Sequence, residues 1–222
     1  MPVPTISGPA GICPGASANL DAGSYASYLW SNGNTTSSIT TNVSGNYTVT
    51  VTDVNGCVGS SNYNLLSFQN PIPVINGMAA ICQNQNSILD AGSFASWQWS
   101  TGAVSQTISV IQSGTYSVTV TNNDGCVAST SFNVVVNPLP VPVISGTSEF
   151  CSGNSSVLNI GGGSFASYLW NTSATTSTIS VSSGGNYVVT VTDVNGCTAS
   201  NNFRQQCNMQ WYTNYIDCRK LY

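Results

Sequence analysis

Residues 46–57 read NYTVTVTDVNGC and residues 186–197 read NYVVTVTDVNGC, two stretches that differ at one position. In the first, Tyr47, Val49 and Val51 alternate with Thr48, Thr50 and Thr52. A period of two places an apolar row on one face of a strand and a hydroxyl row on the other. Asn55-Gly56 and Asn195-Gly196 then supply residues that tolerate positive φ, so the chain turns back as a hairpin at each place. Between the two copies, Tyr116, Val118 and Val120 followed by Asp124-Gly125 repeat the arrangement.

Working outward, the register extends over nearly the whole chain. Cys13, Cys82 and Cys151 are spaced 69 and 69, and Cys57, Cys126 and Cys197 follow at 69 and 71. Trp30, Trp99 and Trp170 each stand 27 residues before the second cysteine, and the two extra residues of the third copy lie between Cys151 and Trp170. Each copy opens with a proline-rich lead, PVPTISG, PIPVING or PVPVISG. Proline excludes helix and biases its predecessor toward extended conformations, so the leads read as short, stiff junctions. Further strands are expected around Ile39, Ile108 and Ile179, and around Phe132, Val134 and Val136. Six or seven short strands in about seventy residues predict an all-β, two-sheet sandwich. The expected organisation is one sandwich in each of 1–69, 70–137 and 138–206, with a distinct tail at 207–222.

Six of the eight cysteines fall as one pair per repeat. That is the arithmetic of disulfides within each repeat, formed in an oxidising compartment. The expected bonds are Cys13–Cys57, Cys82–Cys126 and Cys151–Cys197, with Cys207–Cys218 in the tail. Closing a loop of about 45 residues contributes about 4 kcal/mol in the chain-entropy model, a large gain for so small a sandwich. A metal site would call for close C-x-x-C pairs or histidines, and the chain has neither. Trp30, Trp99 and Trp170 sit where a sandwich places its core tryptophan, and Tyr47, Tyr116 and Tyr187 are assigned to the same core. Trp97, standing where the other copies have Tyr28 and Tyr168, belongs at the core margin, with carbohydrate stacking as the competing reading.

Composition narrows function by exclusion. Only 5% of residues are charged, the net charge is -4, and no lysine or arginine precedes Arg204. Nucleic-acid binders neutralise phosphates with clustered cations, so nucleic acid is not an expected partner, nor is an anionic membrane. Apolar runs are only a few residues long, short of the ~20 that a membrane-spanning helix requires. Met1-Pro2-Val3-Pro4 opens directly into repeat sequence without the basic start and apolar core of a leader, so the chain reads as a mature product or a piece of a longer protein. Without histidine, and with six of its seven acids at repeat-start, turn or tail positions, the chain offers no paired carboxylates or activated nucleophile, and an enzyme is not expected. No cofactor is expected. Calcium is the one candidate metal, through Asp53 and Asn55 and through Asp193 and Asn195, against the reading that these D-V-N-G segments only build turns. Sequons stand at Asn34, Asn42, Asn46, Asn154 and Asn171.

The tail departs from the repeats. It carries Trp211, Tyr212, Tyr215, Arg219 and Lys220. Aromatics beside cations are what interface hot spots are made of, and a cap on the last sandwich is the alternative.

The P-x-P-x-I-x-G leads, Y-L-W-S and G-x-Y-x-V-x-V-T-D-x-x-G-C together resemble the Ig-like and PKD-like repeats of large secreted Bacteroidetes surface proteins, in particular gliding-motility and type IX secretion adhesin-type stalk repeats. The resemblance covers residues 2 to about 206. It implies three tandem Ig-like β-sandwich domains arranged as a rod, secreted or displayed at the cell surface. A structural rod or surface-filament subunit associating head to tail is the first functional expectation. An adhesin module binding glycan or protein is the second, and an accessory module of a secreted hydrolase the third. The cysteines depart from immunoglobulins proper in following the Tyr-bearing strand and its turn.

Overall fold

The alternating segments form strands, and the same strand set recurs along the chain. In the computed structural model, which describes residues 1–151, 153–208, 211–212 and 215–216, no described residue is helical. The first repeat contributes β1 (Gly11–Ile12), β2 (Ala18–Asp21), β3 (Ser27–Trp30), β4 (Ser38–Thr41), β5 (Gly45–Thr52) and β6 (Val58–Ser67). The second contributes β7 (Ala80–Cys82), β8 (Ser87–Asp90), β9 (Ser96–Trp99), β10 (Thr107–Val110), β11 (Gly114–Thr121) and β12 (Val127–Asn137). The third contributes β13 (Val143–Ser145), β14 (Glu149–Cys151), β15 (Ser156–Gly161), β16 (Ser167–Trp170), β17 (Thr178–Val181), β18 (Gly185–Thr192) and β19 (Thr198–Asn208). In the tail, β20 (Trp211–Tyr212) pairs antiparallel with β21 (Tyr215–Ile216).

Each repeat builds one larger sheet, in the order β1-β6-β5-β3, β7-β12-β11-β9 or β14-β19-β18-β16. A smaller sheet, β2-β4, β8-β10 or β13-β15-β17, completes each Ig-like sandwich. The core lies where inward residues of the two sheets meet. In the first repeat Leu20 and Ile39 of the small sheet pack with Trp30, Val49 and Val51 of the large one. In the third, Leu158, Ile179 and Val181 pack with Trp170, Val189 and Val191. Trp30, Trp99 and Trp170 are 2%, 2% and 1% exposed. Each buried indole N–H is satisfied, donating to the carbonyl of Thr36, Ser105 or Thr176 at 2.8, 2.8 and 2.9 Å. Tyr187 is buried, while Tyr47 and Tyr116 are half-buried. The Tyr47 hydroxyl donates to the Val43 carbonyl at 2.8 Å, and that of Tyr187 to Ser183 at 2.8 Å. This is the back-bonded tyrosine that immunoglobulin sandwiches place near the start of the same strand. Where those sandwiches have their second core cysteine, two residues on, this chain has Val49, Val118 and Val189, 0%, 1% and 0% exposed.

The leads are part of the sandwich as well as junctions. Ile6, Ile75 and Ile144 are buried, and Ser7 and Asn76 bridge to Asp21 and Asp90. Gly8 closes the first lead against the core, because a Cβ there would stand 2.5 Å from Leu20 Cδ2 and 3.2 Å from the Asn19 carbonyl. In the third repeat the two extra residues lengthen β15, so that Val143, Ile144 and Ser145 pair with Gly161, Ile160 and Asn159. A single bridge becomes a full strand.

The chain packs as two compact units, one of Met1–Gly77, Ile88–Ile108 and Thr115–Asn133, the other of Met78–Ser87, Ser109–Gly114 and Val134–Tyr222.

Candidate functional site at the repeat junctions

Each second-position cysteine ends a hairpin turn of fixed geometry. Asp53 Oδ1 accepts from the backbone N–H of Asn55 and of Cys57, both at 2.9 Å, and Gly56 adopts φ +77°. Asp193 does the same for Asn195 and Cys197 at 2.9 and 2.8 Å, with Gly196 at φ +81°. In the second repeat Asn122 takes the place of the aspartate, its Oδ1 accepting from Asp124 and Cys126 at 3.1 and 2.9 Å. Its amide Nδ2 also donates to the Gln69 carbonyl at 2.9 Å, tying the turn to the segment that leads out of the first repeat.

First-position cysteines stand at the other end of the sandwich. The parallel pairing of β1 with β6 sets Ile12 opposite Ser67, so Cys13 leaves beside the last residues of β6. Cys57 immediately precedes Val58, the first residue of that ten-residue strand. At about 3.3 Å per residue the two cysteines are about 30 Å apart. A disulfide requires Cα atoms within about 7 Å. The same parallel register sets Cys82 opposite Asn137, at the far end of β12 from Cys126. It sets Cys151 opposite Asn208, at the far end of β19 from Cys197.

The expected pairings Cys13–Cys57, Cys82–Cys126 and Cys151–Cys197 are therefore replaced. Cys13 bonds Cys126, with Cα atoms 5.5 Å apart, and Cys82 bonds Cys197, with Cα atoms 5.6 Å apart. Each bond joins the first-position cysteine of one repeat to the turn cysteine of the next, and each lies within one compact unit. Cys126 and Cys197 are 1% and 0% exposed. Cys57, in the same turn position, is an exposed free thiol. For Cys207–Cys218, Cys218 lies outside the described residues.

No protein-family model matches the chain, and no curated protein matches it. Among solved structures, the chain is similar to three tandem Ig domains of titin, I67–I69 in an E-to-A variant, at 12% identity and a TM-score of 0.43, covering 92% of this chain and 98% of that one. It is also similar to a structure from a 1.5-MDa bacterial ice-binding adhesin, at 13% identity and a TM-score of 0.38, covering 94% and 99%. A Ca²⁺-stabilised adhesin of an ice-binding Antarctic bacterium aligns at 11% identity and a TM-score of 0.38, covering 87% and 69%.

The other candidate residues fall into the fold's own hydrogen bonding. The carboxylates of Asp53 and Asp193 hold their own turns, as above. Among the described residues, no three acidic, histidine or cysteine side chains gather as a metal site. Trp97 is half-buried, and its indole N–H donates to the Gly92 carbonyl at 2.9 Å. The Tyr28 hydroxyl makes the equivalent bond to Gly23 at 2.8 Å. A depression of about 230 Å³ lies between Ser93, Phe94, Ala95, Asn122 and Asn123. It is smaller than most ligand sites, and Asn122 is already committed on both sides of its amide. In the tail, Trp211, Tyr212 and Tyr215 fall in the β20–β21 pair, while Arg219 and Lys220 lie outside the described residues.

Proposed function

We propose that the chain is a noncatalytic, extracellular structural module whose successive repeats, bounded near 69 and 137, are fastened to one another so as to bear tension. The observation that supports this reading is the direction of the disulfides: Cys13–Cys126 and Cys82–Cys197 each link consecutive repeats. A bond inside one sandwich resists unfolding of that sandwich. A bond between neighbours keeps them together even when the connecting segment is strained or cut. Bonds of this kind persist in oxidising compartments, which agrees with a secreted or surface-displayed protein. The likeness of the repeat motifs to surface-protein stalk repeats points the same way.

A nicked chain tests the reading. With a protease site inserted after Asn70, in an exposed stretch between the first two repeats, the cut and oxidised chain should still transmit force between its termini in single-molecule pulling. The cut and reduced chain should part. A cut, oxidised chain that parts without resistance overturns the proposal.

A further inference from the structure

The second repeat departs from the other two around the depression lined by Ser93, Phe94, Ala95, Asn122 and Asn123. Its turn reads Asn122-Asn123-Asp124-Gly125, where the first and third have Asp53-Val54-Asn55-Gly56 and Asp193-Val194-Asn195-Gly196. Its β9 carries Trp97, where β3 and β16 carry Tyr28 and Tyr168. In the first repeat the Tyr25 N–H donates to the Tyr28 hydroxyl at 2.7 Å, and the two rings meet edge to face with centroids 6.4 Å apart. Phe165 and Tyr168 meet edge to face at 5.9 Å. An indole N–H can only donate, and that of Trp97 is engaged by the Gly92 carbonyl. Among the described residues, the half-buried Phe94 is thus left with a backbone N–H that has no acceptor and a ring that has no edge-to-face partner. Asn123 is exposed, and neither its amide nor the Ser93 hydroxyl is held by a hydrogen bond among the described residues.

We propose that this depression binds one neutral pyranose ring, the terminal sugar of a glycan. The apolar C–H face of the sugar stacks on Phe94, and its hydroxyls exchange hydrogen bonds with the Asn123 amide, the Ser93 hydroxyl and the Phe94 N–H. An amide and a hydroxyl each donate and accept, as a sugar hydroxyl does, and an aromatic ring beside polar groups suits a ligand with one apolar and one polar face. The volume of about 230 Å³ lies below that of sites for extended ligands, so a single ring is the occupant. The lining carries no charge, Asp124 follows it in the turn, and no lysine or arginine precedes Arg204, so an acidic sugar is disfavoured. In the other repeats Val54 and Val194 take the place of Asn123, 88% and 84% exposed, and provide no hydrogen bond. The site therefore belongs to the second repeat alone.

Saturation-transfer NMR of the oxidised, full chain with the methyl glycosides of glucose, galactose, mannose and N-acetylglucosamine tests the proposal. At least one of them should bind, with a Kd in the millimolar range expected of so shallow a site. Asn123→Val and Trp97→Tyr each install a residue that the other repeats already carry at that position, so both variants should fold. Each should weaken binding about fivefold, the loss of one or two hydrogen bonds between neutral groups. Val194→Ala, at the matching turn of the third repeat, should change nothing. Silence from the whole panel overturns the inference, as does binding that survives both variants, or a methyl glucuronide that binds as tightly as its neutral counterpart. The tension-bearing reading does not depend on this site, and the nicked chain tests it separately.

Discussion

Ile12 and Ser67 face each other in the parallel pairing of β1 with β6. Because Cys13 follows Ile12 and Cys57 precedes the first residue of β6, the whole length of that strand lies between the two cysteines. The cysteine that ends one sandwich is thereby turned toward its successor. The same register recurs at β7 with β12 and at β14 with β19.

Loss of either disulfide should lower stability by more than a bond closing a short loop would. The sequence separations are 113 and 115, for which the chain-entropy model gives about 4–5 kcal/mol each. Cys13→Ser and Cys126→Ser should destabilise to similar extents, and the double variant little further. Guanidinium unfolding of oxidised chains checks this.

Gln205 occupies a buried position of β19, 2% exposed, where β6 and β12 have Leu65 and Val134. Its Nε2 donates to the Thr147 carbonyl at 2.7 Å, but Oε1 has no partner among the described residues. An unsatisfied buried acceptor costs more than a neutral hydrogen bond contributes. Gln205→Leu should therefore raise stability by about 1 kcal/mol, read as a higher denaturation midpoint with an unchanged slope.

Ser173 is held at φ +69°, in the turn position where the earlier repeats have Gly33 at +87° and Gly102 at +86°. The left-handed region costs a residue with a Cβ about 1–2 kcal/mol, part of which glycine gives back as backbone entropy in the unfolded chain. Ser173→Gly should stabilise by about 0.5–1 kcal/mol. A thermal melt of the paired proteins is sufficient.

Asp90 gives the second repeat an acid sensitivity. The Gln106 amide, at 3.0 Å, and the Gly92 N–H, at 2.8 Å, hold its carboxyl below the usual aspartate range. A carboxylate depressed in the folded state contributes stability above its unfolded pKa of about 4, and that contribution is lost as pH falls through the folded value. Gln106→Leu removes the larger of the two causes. The variant should lose less stability than wild type between pH 7 and pH 3, whatever its stability at pH 7; equal losses would assign the effect elsewhere.

Much of this was legible in the residues. Alternation of Val and Thr located β5, β11 and β18, and the tryptophan spacing located a core residue in each repeat. The cysteine pairing was not legible, because identical spacing in each copy is equally compatible with bonds inside a repeat and bonds one repeat along. What separates them is the parallel addition of the two-residue β1 to the end of β6, and no periodicity marks so short a strand. The leads were half legible. Their prolines announced extended chain, but burial of Ile6, Ile75 and Ile144 depends on the partner sheet. The two residues added in the third repeat were visible as an insertion, and their effect, converting a bridge into β13, follows only from the pairing of Val143 with Gly161.

Disulfides that run between repeats leave a distinct set of cross-linked peptides, and disulfide mapping reads that set. The chain has only three basic residues, all from Arg204 onward, so peptic digestion at acid pH, which also suppresses exchange, is the suitable cut. Non-reducing mass spectrometry should find the Cys13 peptide joined to the Cys126 peptide and the Cys82 peptide joined to the Cys197 peptide. Peptides joining Cys13 to Cys57 and Cys82 to Cys126 would contradict the account.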